Sequence, residues 1–231
     1  NKKISHNLMH QNYNEINIIL INTHTSRSNS YKSGNINNND IISKKINNVI
    51  ISKFIDLSDK CGVGYILSNG DVGVHFNDGT KMIRIKCTLN FIYLDNQGKI
   101  TLINTKKKVD NKDYETKINA LLLFNKTFIK NSKYRKSFDV DPKLHKKSID
   151  LYVKKWVKSQ FAYFFLLSNE KVQVIFDDKS QVIFDFQSKK TIYINKSKQM
   201  TMQNINTTNF GNEEMNKRVK YTKQVLTYMI N

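Results

Sequence analysis

Acidic residues are scarce in this chain: 19 Asp and Glu stand against 38 Lys and Arg, a formal net charge of +19. A surplus of that size predicts an anionic partner, whether nucleic acid, acidic membrane or a phosphorylated protein. A general richness in Lys, Asn and Ile also feeds it, so charge at a defined site is the better guide. Cysteine is nearly missing, and Cys61 and Cys87 have neither metal-ligand spacing nor the density of a disulfide framework. No run approaches the roughly 18 apolar residues of a membrane-spanning helix, and the N-terminus lacks a signal-peptide core. These absences lead us to expect an intracellular protein with free thiols. Catalytic signatures are missing too: no Gly-rich phosphate loop, no H-R-D or D-F-G, no G-x-S-x-G and no cluster of His, Cys and Asp. The chain therefore reads as a binding module, with no cofactor or metal expected. It begins at Asn1 rather than Met and is read as a fragment of something longer.

What is there is a pattern that occurs twice. LSNGDVGVHFNDGTKMIRI begins at Leu67 and LSNEKVQVIFDDKSQVIFD at Leu167. At that constant offset Leu67, Ser68, Asn69, Val72, Val74, Phe76, Asp78 and Ile83 meet Leu167, Ser168, Asn169, Val172, Val174, Phe176, Asp178 and Ile183. A gapless match of this length marks a duplicated module. Each copy reads as β-meander. Residues 72–76 alternate in the period of two that turns one face of a strand to a core, Asn77-Asp78-Gly79 supplies the turn, and Met82, Ile83 and Ile85 begin the return. Asp78 and Asp178 are read as turn residues, and His75 as a surface histidine.

Taken in order, residues 4–21 carry weak helical periodicity, with His6 and His10 read as solvated, and residues 22–48 read as a flexible linker. The first module covers 49–131. Its strands are expected at 49–55, 62–67, 72–76, from 82, and at 91–94 and 100–103, followed by a helix over 112–130. A basic linker, 132–148, holds Ser132, Lys133, Arg135, Lys136, Lys143, Lys146, Lys147 and the only proline, Pro142. It reads either as a solvated connector or as a positive wall beside a groove. The second module covers 149–231, with a first strand at 151–157 and others at 161–167, 172–176, 182–184, 191–194 and 199–203. Its helix is expected to be capped by Asn209 or Asn212, with Glu213 and Glu214 at its positive end and Met215, Val219, Thr222, Leu226 and Met229 on one face. The fold class is α+β: two copies of about six strands and one helix.

Residues 51–86 carry F-I-D-x-S-D-K-x-G-x-G-Y-x-L followed by V-G-V-x-F-N-D-x-T. This stretch resembles the first polo box of polo-like kinases, and Lys155-Trp156, Leu167-Ser168-Asn169 and Val172-Gln173-Val174 resemble the second. Residues 1–48 stand where that family has its polo-cap segment. The resemblance implies two six-stranded antiparallel sheets, each with a helix, and a phosphopeptide groove between them. It also implies a Ser/Thr kinase domain, with its ATP and Mg, outside this chain. An aromatic residue of the first strand would hold the serine before the phosphoresidue; Phe54 stands there in place of the usual Trp, with core packing as its other reading. A His and a Lys one residue apart would grip the phosphate; Lys179 and Gln181 occupy those positions, with Lys158 in support. Site candidates are thus Phe54, Ile55, Ser132, Lys158, Lys179 and Gln181. The partners expected are phosphorylated Ser/Thr segments, with the protein's own kinase domain as a further candidate, at mitotic structures such as centrosomes or spindle poles. A phosphate-independent scaffold is the rival reading. Nucleic acid ranks last, because aromatic and basic residues do not interleave on one face, and no membrane is expected.

Overall fold

A computed structural model describes residues 49–85, 88–106, 108–130 and 151–228. The expected N-terminal helix and linker, His6, His10, Cys87, Met229 and the basic linker with Ser132 lie outside the described residues. The described chain forms two compact units that part at Val153 and Lys154.

The first unit is one antiparallel meander in which every strand pairs with its neighbours in sequence. Its strands are β1 (Ile51–Leu57), β2 (Gly62–Leu67), β3 (Val72–Phe76), β4 (Lys81–Arg84), β5 (Asn90–Leu94) and β6 (Ile100–Asn104), and helix α1 (Lys112–Lys130) follows. The second unit repeats the plan: β7 (Val153–Lys158), β8 (Ala162–Leu167), β9 (Lys171–Phe176), β10 (Gln181–Asp185), β11 (Lys190–Ile194), β12 (Met200–Asn204) and α2 (Glu213–Tyr228). The α+β class and the six-strands-plus-helix count agree with the sequence. Strand ends move by one or two residues: β1 and β7 begin two residues late, β4 ends before Ile85, and most other strands shift by one residue at an end.

Turn chemistry makes these hairpins. Asp78 Oδ1 accepts from the Thr80 N–H at 3.0 Å and from its hydroxyl at 2.7 Å. Asp178 does the same for Ser180 at 3.0 and 2.6 Å. Both aspartates are turn residues as read. Asn111 caps α1 by accepting from the N–H groups of Asp113 and Tyr114. Asn212, not Asn209, caps α2 through the Met215 N–H.

Each helix lies on one face of its own sheet. Val72, Val74, Phe76, Met82, Phe91 and Tyr93 meet Ile118, Leu121, Phe124 and Phe128 of α1. Phe164, Leu166, Val172, Val174, Phe176 and Tyr193 meet Met215, Val219 and Leu226 of α2. One expectation is corrected here. The central strands bury both faces, not one: Tyr65, Ile83 and Ile92 in the first unit and Phe165, Gln173 and Ile183 in the second lie opposite the helix and are all buried. Gly73, which reads as a polar-face residue, is small because the Tyr65 ring lies over it; a Cβ there would sit 2.2 Å from the ring.

Candidate functional site

In the first unit the candidates stand on β1, which is the first strand in the order of its sheet and pairs with β2 among the described residues. Phe54 is opposite Tyr65 and Ile55 is opposite Gly64. Hydrogen bonds alternate along an antiparallel pair. The bond from Asn77 N–H to Cys61 O fixes the phase of β2, so Gly62, Gly64 and Ile66 turn their peptide groups toward β1. Ile55 therefore directs its peptide groups at Gly64, and its side chain packs on the helix-side core. Phe54 has the reverse orientation: its peptide groups face the outer edge, and its half-buried ring lies on the face away from α1.

In the second unit Lys158, Lys179 and Gln181 gather at one end of the sheet. The turns β7–β8 and β9–β10 are adjacent there, joined by the Asp177 N–H donating to Phe161 O at 3.1 Å. Lys158 closes β7 and is exposed, with its Nζ 5.3 Å from the centroid of the Tyr163 ring. That ring stacks between Trp156 and Phe165, at 6.4 Å from each. Lys179 is exposed at the tip of the β9–β10 turn with φ of 70°, a conformation better suited to glycine. Gln181 opens β10 on the face away from the helix; it is buried, and its Oε1 accepts from Gln173 Nε2 at 2.8 Å. With its oxygen engaged, Gln181 can offer an anion only its amide NH2. On the same face, at the far end of the strands, Lys171 and Asp185 form a buried pair at 3.0 Å.

A second polar constellation, which the sequence reading missed, ties each helix to the β3–β4 or β9–β10 turn. Lys117 Nζ donates to Asp78 Oδ2 at 2.7 Å and to Asp113 Oδ1 at 2.9 Å, above the rings of Phe76 and Tyr93. Arg218 pairs with Asp178 and lies 4.4 Å from the centre of the Phe176 ring, while Lys196 reaches both Asp178 and Glu214. Burial disfavours ionisation of Asp78, but the Lys117 and Thr80 bonds outweigh it and hold its carboxyl below the usual range. Asp178 is likewise held down against burial by Ser180, Arg218 and Lys196. Burial first, then the Glu214 carboxylate, push the Tyr193 phenol up to about 12. The signal for this clasp was in the sequence: Asn111, Asp113 and Lys117 recur as Asn212, Glu214 and Arg218, one residue beyond the strand offset.

Three comparisons place this arrangement among known proteins. The family model for the POLO box duplicated region matches residues 59–120 and 159–219. A probable serine/threonine-protein kinase, CCRP1 of Zea mays, is 35% identical over 151 residues, 64% of this chain and 24% of that protein. The serine/threonine-protein kinase polo of Drosophila melanogaster is 26% identical over 182 residues, 78% of this chain and 31% of that protein. The chain thus spans about a quarter to a third of the length of these curated relatives. Among solved structures, the polo-box domain of budding yeast Cdc5 superposes with a TM-score of 0.64 at 18% identity, covering 96% of this chain and 90% of that one. The same domain in complex with an Spc72 phosphopeptide gives 0.61 at 23% identity, covering 84% and 78%. With the family model matching two stretches that fall one within each sheet-and-helix unit, the chain belongs to the polo-box family.

Proposed function

We propose that this chain is the targeting module of a polo-like Ser/Thr protein kinase and docks it on phosphorylated Ser/Thr segments. The observation that carries the reading is the gathering of Lys158, Lys179 and Gln181 at one end of the second sheet, in a family with a solved member holding a phosphopeptide. Lys179 supplies the charge for the phosphate, Lys158 a second cation and Gln181 a neutral donor. Phe54, whose half-buried ring lies on the face away from α1, is the contact for the residue before the phosphoresidue. The kinase domain, with its ATP and Mg, belongs to the parent protein, and that domain is a further partner for this one. Mitotic structures such as centrosomes or spindle poles are the proposed destinations.

One observation favours a rival, a scaffold that reads no phosphate: Gln181 is neutral, buried and already engaged by Gln173. Fluorescence anisotropy with matched phosphorylated and unphosphorylated Ser-Ser/Thr peptides, at two salt concentrations, decides between them. A charge-assisted bond is worth roughly 1.5–3 kcal/mol and a neutral one about half that. Lys179→Gly should therefore weaken phosphopeptide binding about tenfold without unfolding the turn. Equal affinity for both peptides, or no loss in the variant, establishes the scaffold instead.

A further inference from the structure

The sheet edge opposite β1 carries a second docking feature that does not depend on the phosphopeptide reading. Among the described residues β6 pairs only with β5. The bonds from Asp95 N–H to Lys99 O and from Thr105 N–H to Leu89 O set the phase of that pair. Thr101 and Ile103 consequently spend their peptide groups on β5, and Ile100, Leu102 and Asn104 direct theirs outward. Two of those same residues are large, apolar and exposed, Ile100 at 59% and Leu102 at 64%. They stand beside buried Leu94 and Ile92, so the apolar layer on this face runs out to the edge and ends there, among the described residues, in two exposed side chains.

Edge strands are ordinarily protected by a charge within the strand, a proline or a bulge. Here the strand itself is Ile-Thr-Leu-Ile-Asn, and exposed lysines, Lys99 and Lys106, stand just beyond its two ends. Asp95 lies near one end, but its Oδ1 accepts from the N–H groups of Gln97 and Lys99. The second unit keeps the same device at the equivalent place: Met200 and Met202 on β12 are 45% and 50% exposed, with Lys198 before them and Lys189 at the far end of the neighbouring strand.

We propose that β6 accepts an extended segment of a partner protein as a seventh strand. That segment has apolar side chains at alternate positions to cover Ile100 and Leu102, and acidic residues at its ends to meet Lys99 and Lys106. An extended backbone satisfies the outward peptide groups, and period two places its side chains on the apolar row. Charge selects against a second copy of this chain: an antiparallel β6–β6 pair centred on Leu102 brings each Lys99 toward the partner's Lys106.

The test uses the whole chain and a short labelled peptide of alternating valine and threonine with acidic ends. Expected are saturable binding, a loss of about fivefold or more in Leu102→Lys, and slowed amide exchange at Ile100, Leu102 and Asn104 but not at Thr101 or Ile103. Ile100→Lys, also at an exposed position, repeats the mutational arm should the first variant fold poorly. No binding at millimolar peptide, or binding indifferent to both variants, overturns the proposal. So does protection elsewhere, or a dimer in sedimentation that dissolves in Leu102→Lys, which gives the edge to a second copy. Binding of phosphopeptides should be unchanged in either variant, so the two readings fail separately.

Discussion

The two units share one topology but solve the same local problems with different residues. At three turn tips the first unit places glycine, Gly70, Gly79 and Gly98, with φ of 91°, 83° and 83°. The second holds Glu170, Lys179 and Lys198 in the same region, at 61°, 70° and 64°. A side chain there costs about 1 kcal/mol, so the second unit accepts strain and gains charged tips, one of them the proposed phosphate ligand. The cores are also exchanged in volume. Phe124 of α1 fills the space over Gly64, where a Cβ would come within 2.3 Å of its ring. In the second unit the ring is on the strand, at Phe164, and the helix answers with the smaller Val225. Opposite the helix, the first unit has Tyr65 over Gly73, whereas the second has the Gln173–Gln181 amide pair and the Lys171–Asp185 ion pair. Equal topology therefore does not make the residues interchangeable, and the polar second face stands in the unit that carries the candidate cations.

The exchange of volumes should give the largest effect. Phe124→Ala is expected to cost about 3–5 kcal/mol and Val225→Ala about 1–2 kcal/mol, read as urea midpoints; equal losses would mean that the two helix positions contribute alike to their cores despite the difference in volume. Gly62→Ala comes next. The second unit already has alanine at the matching position, Ala162, which argues for tolerance. But Gly62 has φ of 145°, and a Cβ would sit 2.2 Å from the carbonyl oxygen of His75. A loss of about 3 kcal/mol is expected, and a neutral change would show that the repeat overrides the local backbone.

The clasps rank third. Lys117 is more buried than Arg218, with 9% against 28% of the side chain exposed. Asp78→Ala should thus cost about 2 kcal/mol and Asp178→Ala about 1 kcal/mol. Their pH dependence follows from the depressed carboxyls of Asp78, Asp178 and Asp185. A depressed folded value contributes stability that is present above the unfolded value of about 4 and is lost as pH falls through the folded value. Urea midpoints should drop below about pH 4, less steeply in Asp78→Asn. The smallest effect has the opposite sign: Lys179→Gly should stabilise the fold by about 1 kcal/mol, measured by thermal melting, while it weakens phosphopeptide binding. An unstabilised variant would mean the turn is not strained by its side chain.

Much of the fold is legible in the sequence because the signals are local. Val72-Gly73-Val74-His75-Phe76 gives its own period, and Asn77-Asp78-Gly79 its own turn, so the hairpin needs no distant partner to be recognised. The clasp escaped because Lys117 and Asp78 are 39 residues apart, and because the helices repeat at a different offset from the strands. Burial of both sheet faces escaped for a related reason. Gly73 looks like a solvent-side residue until the Tyr65 ring above it is seen. The candidate site was legible only as positions, and the backbone then sorted them: Ile55 is committed to Gly64 and the core, and Gln181 to Gln173.

By itself the sequence determined the duplication, the strand and helix order and the turns, since each follows from periodicity and side-chain chemistry within a few residues. Only the tertiary structure decided which side chains share a face and which peptide groups reach a sheet edge. It also decided which polar groups already have partners. Those depend on register and on contacts between segments far apart in the chain, where a shift of one residue turns a side chain to the opposite face of its sheet.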